Sequence, residues 1–268
     1  MKQQIWHLLI VLVLLSLSFV LGCSGGNDDD DVPDKIAIYN GIGAWEASAE
    51  AVMAALDSLP LELEMVDESQ VQNSLARFRL IIIPGGNPLE MANALGTTGK
   101  MRIQGLLNSG GGFIGISGGA YLAADTMIFD QMGSSFVDDP IDLYRGSAEG
   151  PINLIAPLDQ PVMTRVSIED SRFNISYPDL IDVLYYNGPS WVITEPYAQT
   201  IARLNTTGTP AAVIFDYGMG RVGLLNVHPE IEEDNPLYDG GFGHELSDYE
   251  SDWFLLRSMA EWSIRYIN

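Results

Sequence analysis

The part of the chain that follows residue 34 begins with a regular alternation of apolar runs and helical patterns. The run at residues 80–83 is aliphatic at every position, which is typical of a strand covered on both faces. This alternation predicts an α/β fold, in which a mostly parallel central sheet carries helices on both faces. The predicted strands of this region are residues 36–39, 61–66, 80–83 and 113–116, and the helical patterns are residues 45–59, 68–78, 91–95 and 101–107.

The rest of the chain is less regular, with short strand candidates separated by turn residues. An amphipathic pattern at residues 249–266 predicts a closing helix. Neither an internal repeat nor a break in composition divides residues 35–268, so we expect one domain there. The strand candidates are residues 152–156, 163–168, 180–186, 200–204, 211–217 and 221–227.

Ser117 follows the fourth predicted strand. Residues 115–119 read G-I-S-G-G, which matches the nucleophile-elbow pattern G-x-S-x-G. The glycines permit a strained turn, and residues 120–124 favour a helix that begins there. The hydroxyl would then stand above the sheet, near the positive end of the helix. An ordinary junction in which the serine only caps the helix gives the same pattern, which does not separate the two.

His228 is the histidine best placed for proton transfer, since it follows the apolar run 222–227 directly. Of the other two histidines, His7 lies in the leader and His244 in a polar acidic stretch. An imidazole at a strand end can take the proton of a serine hydroxyl, and Glu230, two residues on, can orient it. The pattern therefore favours a catalytic triad with the elbow serine over a surface loop with a capping histidine.

Three glycine-containing segments need separate interpretations. Residues 84–86 close an aliphatic strand, and the N–H of Gly86 together with that of Gly118 would form an oxyanion hole; the alternative is a turn before a helix capped by Asn87. Residues 218–223 match G-x-G-x-x-G, but a strand follows them, which favours a hairpin turn over a dinucleotide site. Residues 185–189 either line a pocket or form an ordinary turn.

The first 22 residues predict a bacterial export signal. Lys2 precedes an apolar segment, residues 5–21, and Val20-Leu-Gly-Cys23 resembles a lipobox, in which the cut precedes a cysteine that is then acylated, for example with palmitate. An uncleaved membrane-anchoring helix is the alternative. We expect a lipoprotein held on a bilayer through Cys23, in the periplasm or on the outer membrane of the cell envelope.

The acidic character of the chain limits its partners. The net charge is −23, and loss of Lys2 with the leader would make it −24, so we expect no binding to nucleic acid and a small-molecule or peptide ligand instead. Residues 23–34 predict a flexible acidic tether, although an acidic tract at this place also resembles a surface-export signal. The acidic residues 230–250 lack calcium-loop spacing, which favours a solvated face or flap over a metal site.

Five stretches together resemble the class I glutamine amidotransferase-like superfamily, and more narrowly the domain at the amino terminus of some biotin–protein ligases. They occur in the family's order and span nearly all of the predicted domain. The resemblance implies a flavodoxin-like fold. The stretches are residues 38–43, 82–86, 111–122, 185–189 and 220–230.

The same resemblance implies a role for each candidate residue. Ser117 occupies the nucleophile position, His228 the base position and Glu230 the third position, while Gly86 and Gly118 match the oxyanion-hole positions. Amidotransferases have a cysteine where this chain has a serine, so the resemblance does not imply glutaminase activity. A serine at this elbow is similar to that of the aspartyl-dipeptidase and cyanophycinase types of serine peptidase in the same superfamily.

Two functions are compatible with these residues. The first is an envelope lipoprotein with a Ser-His-Glu hydrolase site acting on an amide or peptide bond, with no cofactor and no metal. The second is a catalytically silent binding module that retains the site without its chemistry. No ligase catalytic part follows within the sequence, so we do not expect biotin transfer.

Overall fold

A nine-stranded sheet forms the centre of the protein, and a separate four-stranded sheet accompanies it. The computed structural model describes residues 35–131, 134–138, 140–173, 178–195, 197–232 and 251–264. The predicted leader, Cys23 and the tether at residues 23–34 lie outside the described residues, as do residues 233–250 of the acidic stretch.

The elements follow one another along the chain in a mixed order. The strands are β1 (Lys35–Tyr39), β2 (Glu62–Val66), β3 (Phe78–Ile83), β4 (Gly112–Ile116), β5 (Ala124–Gln131), β6 (Ser134–Asp138), β7 (Tyr144–Gly150), β8 (Val162–Ile168), β9 (Leu180–Tyr185), β10 (Ser190–Glu195), β11 (Gln199–Leu204), β12 (Pro210–Tyr217) and β13 (Gly220–Leu225). The helices are α1 (Glu46–Leu56), α2 (Glu68–Asn73), α3 (Pro88–Asn108), α4 (Gly118–Tyr121) and α5 (Trp253–Ile264).

The strand order of the large sheet is β2-β1-β3-β4-β13-β12-β11-β8-β9, and its first five strands are parallel. Ile83 pairs with Gly115, and Ile116 pairs with Leu225, so β3, β4 and β13 end side by side. In open α/β sheets, ligands bind outside the carboxyl ends of such strands. The segments that leave these three strands therefore reach the same edge of the sheet.

The last four pairings of the large sheet, from β13 to β9, are antiparallel. A tight turn joins β12 to β13, in which Tyr217 pairs with Gly220 and Gly218 has a φ of 58°. This positive φ is what a two-residue hairpin turn requires, and it explains the glycine there. The hairpin interpretation of residues 218–223 is confirmed, because a strand and not a helix follows the glycines.

Helices cover both faces of the large sheet. On one face, α1 and α5 pack against alternate residues of the inner strands, including Ile38 and Ile82. On the other face, α2 and α3 pack against the intervening residues, including Ala37 and Ile81. Each fully buried aliphatic side chain of this kind contributes about 1.5–3 kcal/mol relative to exposure. The predicted α/β class, with helices on both faces of a central sheet, is confirmed. The sheet is less parallel than predicted, because the hairpin-connected strands of the second half add four antiparallel pairings to the four parallel ones.

Three local predictions differ from the structure. Residues 152–156 form a turn and not a strand, because prolines at 151 and 157 flank them and both Ile155 and Ala156 donate main-chain hydrogen bonds to Ile152. The two predicted helices at 91–95 and 101–107 are parts of α3, which breaks at Gly96 with a φ of 55°. The helix after Ser117 is only one turn long, because strand β5 begins at residue 124.

Candidate active site

Ser117 stands at a sharp turn between β4 and α4. Its φ of 48° and ψ of −106° lie in a region that costs an ordinary residue about 1–3 kcal/mol. Its main-chain N–H donates to Leu225 of β13 at 2.8 Å, and its side chain makes no capping hydrogen bond to α4. The backbone geometry is thus that of a nucleophile elbow, and the hydroxyl is free of the capping role that the sequence left open.

The glycines of the elbow (residues 115–119) are there because the neighbouring backbones leave no room for a side chain. A Cβ on Gly118 would lie 2.3 Å from the carbonyl oxygen of Gly86, and a Cβ on Gly119 would lie 2.0 Å from that of Ile83. Real Cβ contacts are essentially never this short. The elbow is therefore held by direct contact between the backbones that leave two neighbouring strands, β3 and β4.

His228 and Glu230 form a buried pair just beyond β13. The two side chains are 1% and 0% exposed, and His228 Nδ1 lies 2.8 Å from Glu230 Oε1. The main-chain N–H of His228 donates to Leu184 at 2.8 Å, and the main-chain oxygen of Glu230 accepts from the indole of Trp253, also at 2.8 Å. These contacts fix the segment on both sides, so the imidazole has a defined orientation.

One main-chain oxygen joins the serine to the histidine. The hydroxyl of Ser117 donates to the carbonyl oxygen of Tyr186 at 2.9 Å, and His228 Nε2 lies 3.2 Å from the same oxygen. Among the described residues, Ser117 and His228 share this acceptor and form no hydrogen bond to each other. Both nitrogens of His228 therefore face acceptors, and a neutral imidazole has only one N–H. A neutral ring can therefore donate to only one of these two oxygens at a time.

The 186–189 turn that supplies this oxygen is held through its other carbonyl groups. The hydroxyl of Tyr121 donates to the oxygen of Asn187 at 2.9 Å, that of Tyr185 donates to Gly188 at 2.8 Å, and Asn226 Nδ2 donates to Pro189 at 3.0 Å. Four consecutive carbonyl groups thus each accept a hydrogen bond from a side chain. The oxygen of Tyr186 is a fixed part of the site.

The side chain of Asn187 reinforces the same turn. Asn187 has a φ of 58°, and its amide exchanges two hydrogen bonds with Asp159, at 2.8 and 2.9 Å. Asparagine tolerates this left-handed conformation better than most residues. Burial, with a smaller contribution from the nearby carboxylate of Asp159, raises the pKa of the Tyr186 phenol, so this ring stays neutral at the edge of the site.

Gly86 and Gly118 lie against each other beside Ser117. Gly86 has a φ of 147° and forms a bridge to Ala44, in which Asn87 donates to Gly43 at 2.8 Å. Within the described ranges, neither of the two glycine N–H groups has a hydrogen-bond acceptor. Two unpaired donors side by side next to a hydroxyl have the arrangement that an oxyanion hole would require.

The segment that contains Gly86 and Asn87 is compatible with both interpretations of its sequence, a helix cap and a turn with a free N–H. Its side chain accepts from Leu89 and Glu90 and so caps α3, while the glycine before it contributes a free donor. The alternatives of a helix cap and an oxyanion turn therefore do not exclude each other here.

Several residues of the site carry no signal in the sequence that sets them apart. Ser48 on α1 donates to Glu230 Oε1 at 2.6 Å, and Trp45 lies edge-on to His228 with ring centroids 5.5 Å apart. Tyr121 and Asn226 hold the 186–189 turn as described. Their hydrogen bonds span long sequence separations, so no local pattern could have indicated them.

The described part of the protein brings together all five predicted site residues of the domain, namely Ser117, His228, Glu230, Gly86 and Gly118. No group of three or more His, Cys, Asp or Glu side chains in this part could hold a metal ion. Among the residues described, no helix combines the length and the apolar character needed to cross a bilayer.

Solved structures with the same fold support this architecture. The structure of PurLQS from Thermotoga maritima aligns with a TM-score of 0.55 and 14% identity over 86% of this chain and 99% of that one. A protein of Thermoplasma acidophilum, described as a GMP synthase subunit, aligns with a TM-score of 0.52 and 15% identity over 86% of this chain and 96% of the other. At these identities the likeness shows the fold alone, which is an α/β fold with a central sheet.

Sequence comparison identifies the family of this chain. A biotin–protein ligase of Schizosaccharomyces pombe is 26% identical over 223 residues, which are 76% of this chain and 35% of that protein. The chain thus spans about a third of the length of this relative. The family model described as "Biotin-protein ligase, N terminal" matches residues 34–239, more than half of the chain. The chain therefore belongs to the family of biotin–protein ligase N-terminal domains.

Proposed function

We propose that this protein is an envelope lipoprotein whose domain hydrolyses an amide or peptide bond with Ser117, His228 and Glu230. The observation that carries the proposal is the strained elbow of Ser117, whose hydroxyl shares an acceptor with His228 Nε2 while Glu230 engages Nδ1. A nucleophile, a base and a group that orients the base are the elements of nucleophilic amide hydrolysis.

The reaction would begin with a change of hydrogen-bond partners. His228 acts as a base only in the form with its proton at Nδ1, which keeps the bond to Glu230 and gives up the one to Tyr186. The hydroxyl of Ser117 turns from the carbonyl oxygen of Tyr186 towards the vacant lone pair of Nε2. Because the 186–189 turn is held through its other carbonyl groups, the serine rotates and the turn stays in place.

The chemical steps then follow from the positions of these groups. Ser117 Oγ forms a bond to the substrate carbonyl carbon as its proton passes to His228 Nε2, and the N–H groups of Gly86 and Gly118 bind the oxyanion. One such donor is worth about 3 kcal/mol in other enzymes. The C–N bond breaks as Nε2 gives its proton to the leaving amine. Water then hydrolyses the acyl-serine, giving a carboxylic acid and restoring the hydroxyl.

The resting hydrogen bonds favour a second candidate, a silent binding module. Among the described residues Ser117 and His228 form no hydrogen bond to each other, and the carbonyl oxygen of Tyr186 is a partner of both. A site that stays in this state binds a ligand through its donors without chemistry. The serine in place of the cysteine of amidotransferases is consistent with such a loss.

Labelling with a fluorophosphonate probe separates the two candidates. We expect the wild-type chain to be labelled, the Ser117→Ala variant to show no labelling above background, and the variant of the exposed Ser58, Ser58→Ala, to react like wild type. Equal labelling of wild type and Ser117→Ala, or a folded wild type that does not react, contradicts the hydrolase proposal. The second of these results supports the binding module.

The lipid anchor rests on the leader sequence. The apolar segment before Val20-Leu-Gly-Cys23 supports export and acylation at Cys23. In a bacterium fed an alkyne analogue of palmitate, we expect the wild-type chain to incorporate label and Cys23→Ala to lose it. Label on Cys23→Ala would place the acyl chain elsewhere and refute the anchor.

A further inference from the structure

Ser48 connects the two halves of the proposed site through one buried hydroxyl. It lies in the first turn of α1, and its side chain is fully buried. The hydroxyl donates to Glu230 Oε1 at 2.6 Å and accepts from the main-chain N–H of Gly85 at 3.0 Å. A buried serine with both of its hydrogen-bonding functions used is fixed in a single rotamer.

The carboxylate of Glu230 depends on this contact for its orientation. Its Oε1 accepts from both Ser48 and His228 Nδ1, whereas its Oε2 is buried and, in the described part of the chain, has no hydrogen-bond partner. Two donors on the same oxygen determine how the carboxyl group is turned. Without Ser48, the terminal torsion of Glu230 would be set by the histidine alone, and terminal torsions of this kind are soft.

Gly85, the other partner of Ser48, lies directly behind the imidazole. A Cβ on Gly85 would lie 2.7 Å from His228 Cε1, so the backbone of Gly85 packs against the ring. The next residue, Gly86, carries one of the two unpaired N–H groups. Ser48 therefore links the carboxylate that orients the base to the strand exit that forms the oxyanion hole.

We propose that Ser48 is a positioning residue that holds Glu230 and, through it, favours the form of His228 with its proton at Nδ1, which leaves the lone pair of Nε2 to accept the proton of Ser117. This inference rests on the proposed function, since it assigns Ser48 a part in the same reaction. Ser48 does not touch the reacting atoms. Its effect passes through the hydrogen bond between Glu230 and His228.

The first test measures the rate of fluorophosphonate labelling of the full chain and its pH profile. A hydrogen bond to a charged group is lost in Ser48→Ala, which we expect to slow labelling by roughly ten- to a hundredfold. Ser48→Thr keeps a hydroxyl and should restore most of the rate. Ser263→Ala is the matched control, because Ser263 is buried on α5 and its hydroxyl has no partner in the described residues.

A double-mutant cycle separates positioning from a general loss of structure. In a Glu230→Ala background the acceptor of the Ser48 hydroxyl is gone, so Ser48→Ala should change the labelling rate little further. If Ser48→Ala slows labelling by the same factor with and without the carboxylate, Ser48 acts by another route and the inference is wrong. A wild-type rate and pH profile in Ser48→Ala overturns it as well.

A spectroscopic measurement tests the positioning role of Ser48 even if the protein has no hydrolase activity. The proton between His228 Nδ1 and Glu230 gives a far-downfield ¹H NMR signal, which His228→Gln identifies by its absence, since the chain has only three histidines. We expect this signal to shift or vanish in Ser48→Ala and to persist in Ser48→Thr and Ser263→Ala. An unchanged signal in Ser48→Ala overturns the positioning role, whereas failure of wild-type labelling alone refutes only the hydrolase.

Discussion

The elbow and the 186–189 turn meet at one hydrogen bond, from Ser117 to Tyr186, but they are held in different ways. The elbow is fixed by backbone against backbone, where Gly118 and Gly119 lie too close to the end of strand β3 for any side chain. The 186–189 turn is fixed by side-chain donors, each of which occupies one carbonyl oxygen. The elbow requires residues without side chains, whereas the 186–189 turn requires side chains that donate hydrogen bonds.

This contrast has a consequence for substitutions. A steric contact between backbones cannot be weakened by degrees, because a single added carbon already forces strands apart. Hydrogen bonds to successive carbonyl groups can be removed one at a time, and each removal leaves the others in place. We therefore expect abrupt effects at the elbow and graded effects at the 186–189 turn.

The largest effect is expected for Gly119→Ala. The new Cβ would lie 2.0 Å from the carbonyl oxygen of Ile83, on a fully buried strand that cannot move aside without disturbing the core. We expect the free energy of unfolding, measured by urea denaturation, to fall by about 3 kcal/mol or more. The matched control is Gly105→Ala on α3, where a Cβ meets nothing within 4 Å. This control should gain about 0.5–1 kcal/mol from helix propensity. A similar loss in both variants would contradict the steric explanation.

An intermediate effect is expected for Asn226→Ala. The amide of Asn226 donates to the carbonyl oxygens of Pro189 and Pro210, at 3.0 and 2.9 Å, and both would lose this partner, the first in a buried place and the second in a half-buried one. The free energy of unfolding should fall by about 2–3 kcal/mol. Asn73→Ala, at an exposed position, should stay within about 0.5 kcal/mol of wild type in the same denaturation experiment. If the free energy of unfolding falls no further in Asn226→Ala than in Asn73→Ala, the turn does not depend on the amide of Asn226.

The smallest effect at the turn is expected for Tyr121→Phe, which removes only the hydrogen bond to Asn187 and keeps the ring. The loss should be about 1 kcal/mol at neutral pH. Burial, and then the nearby Tyr185, raises the pKa of the Tyr121 phenol well above its ordinary value. This phenol ionises near pH 10 in the unfolded chain.

The sign of the pH dependence follows from that raised pKa. The stability that the protonated phenol contributes is complete below about pH 10 and is lost as the pH rises towards the folded-state pKa. The stability difference between wild type and Tyr121→Phe should therefore shrink between pH 8 and pH 11 in urea denaturation. A difference that grows over this range would mean that the phenol is not protonated and buried in the folded state.

The same contrast explains how much the sequence could predict. The elbow was recognisable because its glycines are local, and strands β1 to β4 were recognisable from apolar runs that alternate with helical patterns. His228 and Glu230 were recognisable because they follow a strand directly. These are all features that neighbouring residues encode.

The support of the site could not be predicted in this way. Ser48, Tyr121 and Asn226 are common residue types whose partners lie 182, 66 and 37 positions away in the chain. The strands β5, β7 and β10 were also missed, since their polar and glycine-containing sequences resemble loops, and they become strands only by pairing with one another. In each case tertiary contact determines the role of the residue.

Strand β13 has a double role in the architecture. It pairs with β4 on one side and with β12 on the other, so it is the seam that makes the parallel and antiparallel halves one sheet. It also delivers the imidazole to its place beside the elbow. A growing polypeptide that has not yet reached residue 220 holds the serine but lacks both the seam and the base. The proposed chemistry therefore cannot begin during biosynthesis until β13 and the segment that follows it have joined the sheet.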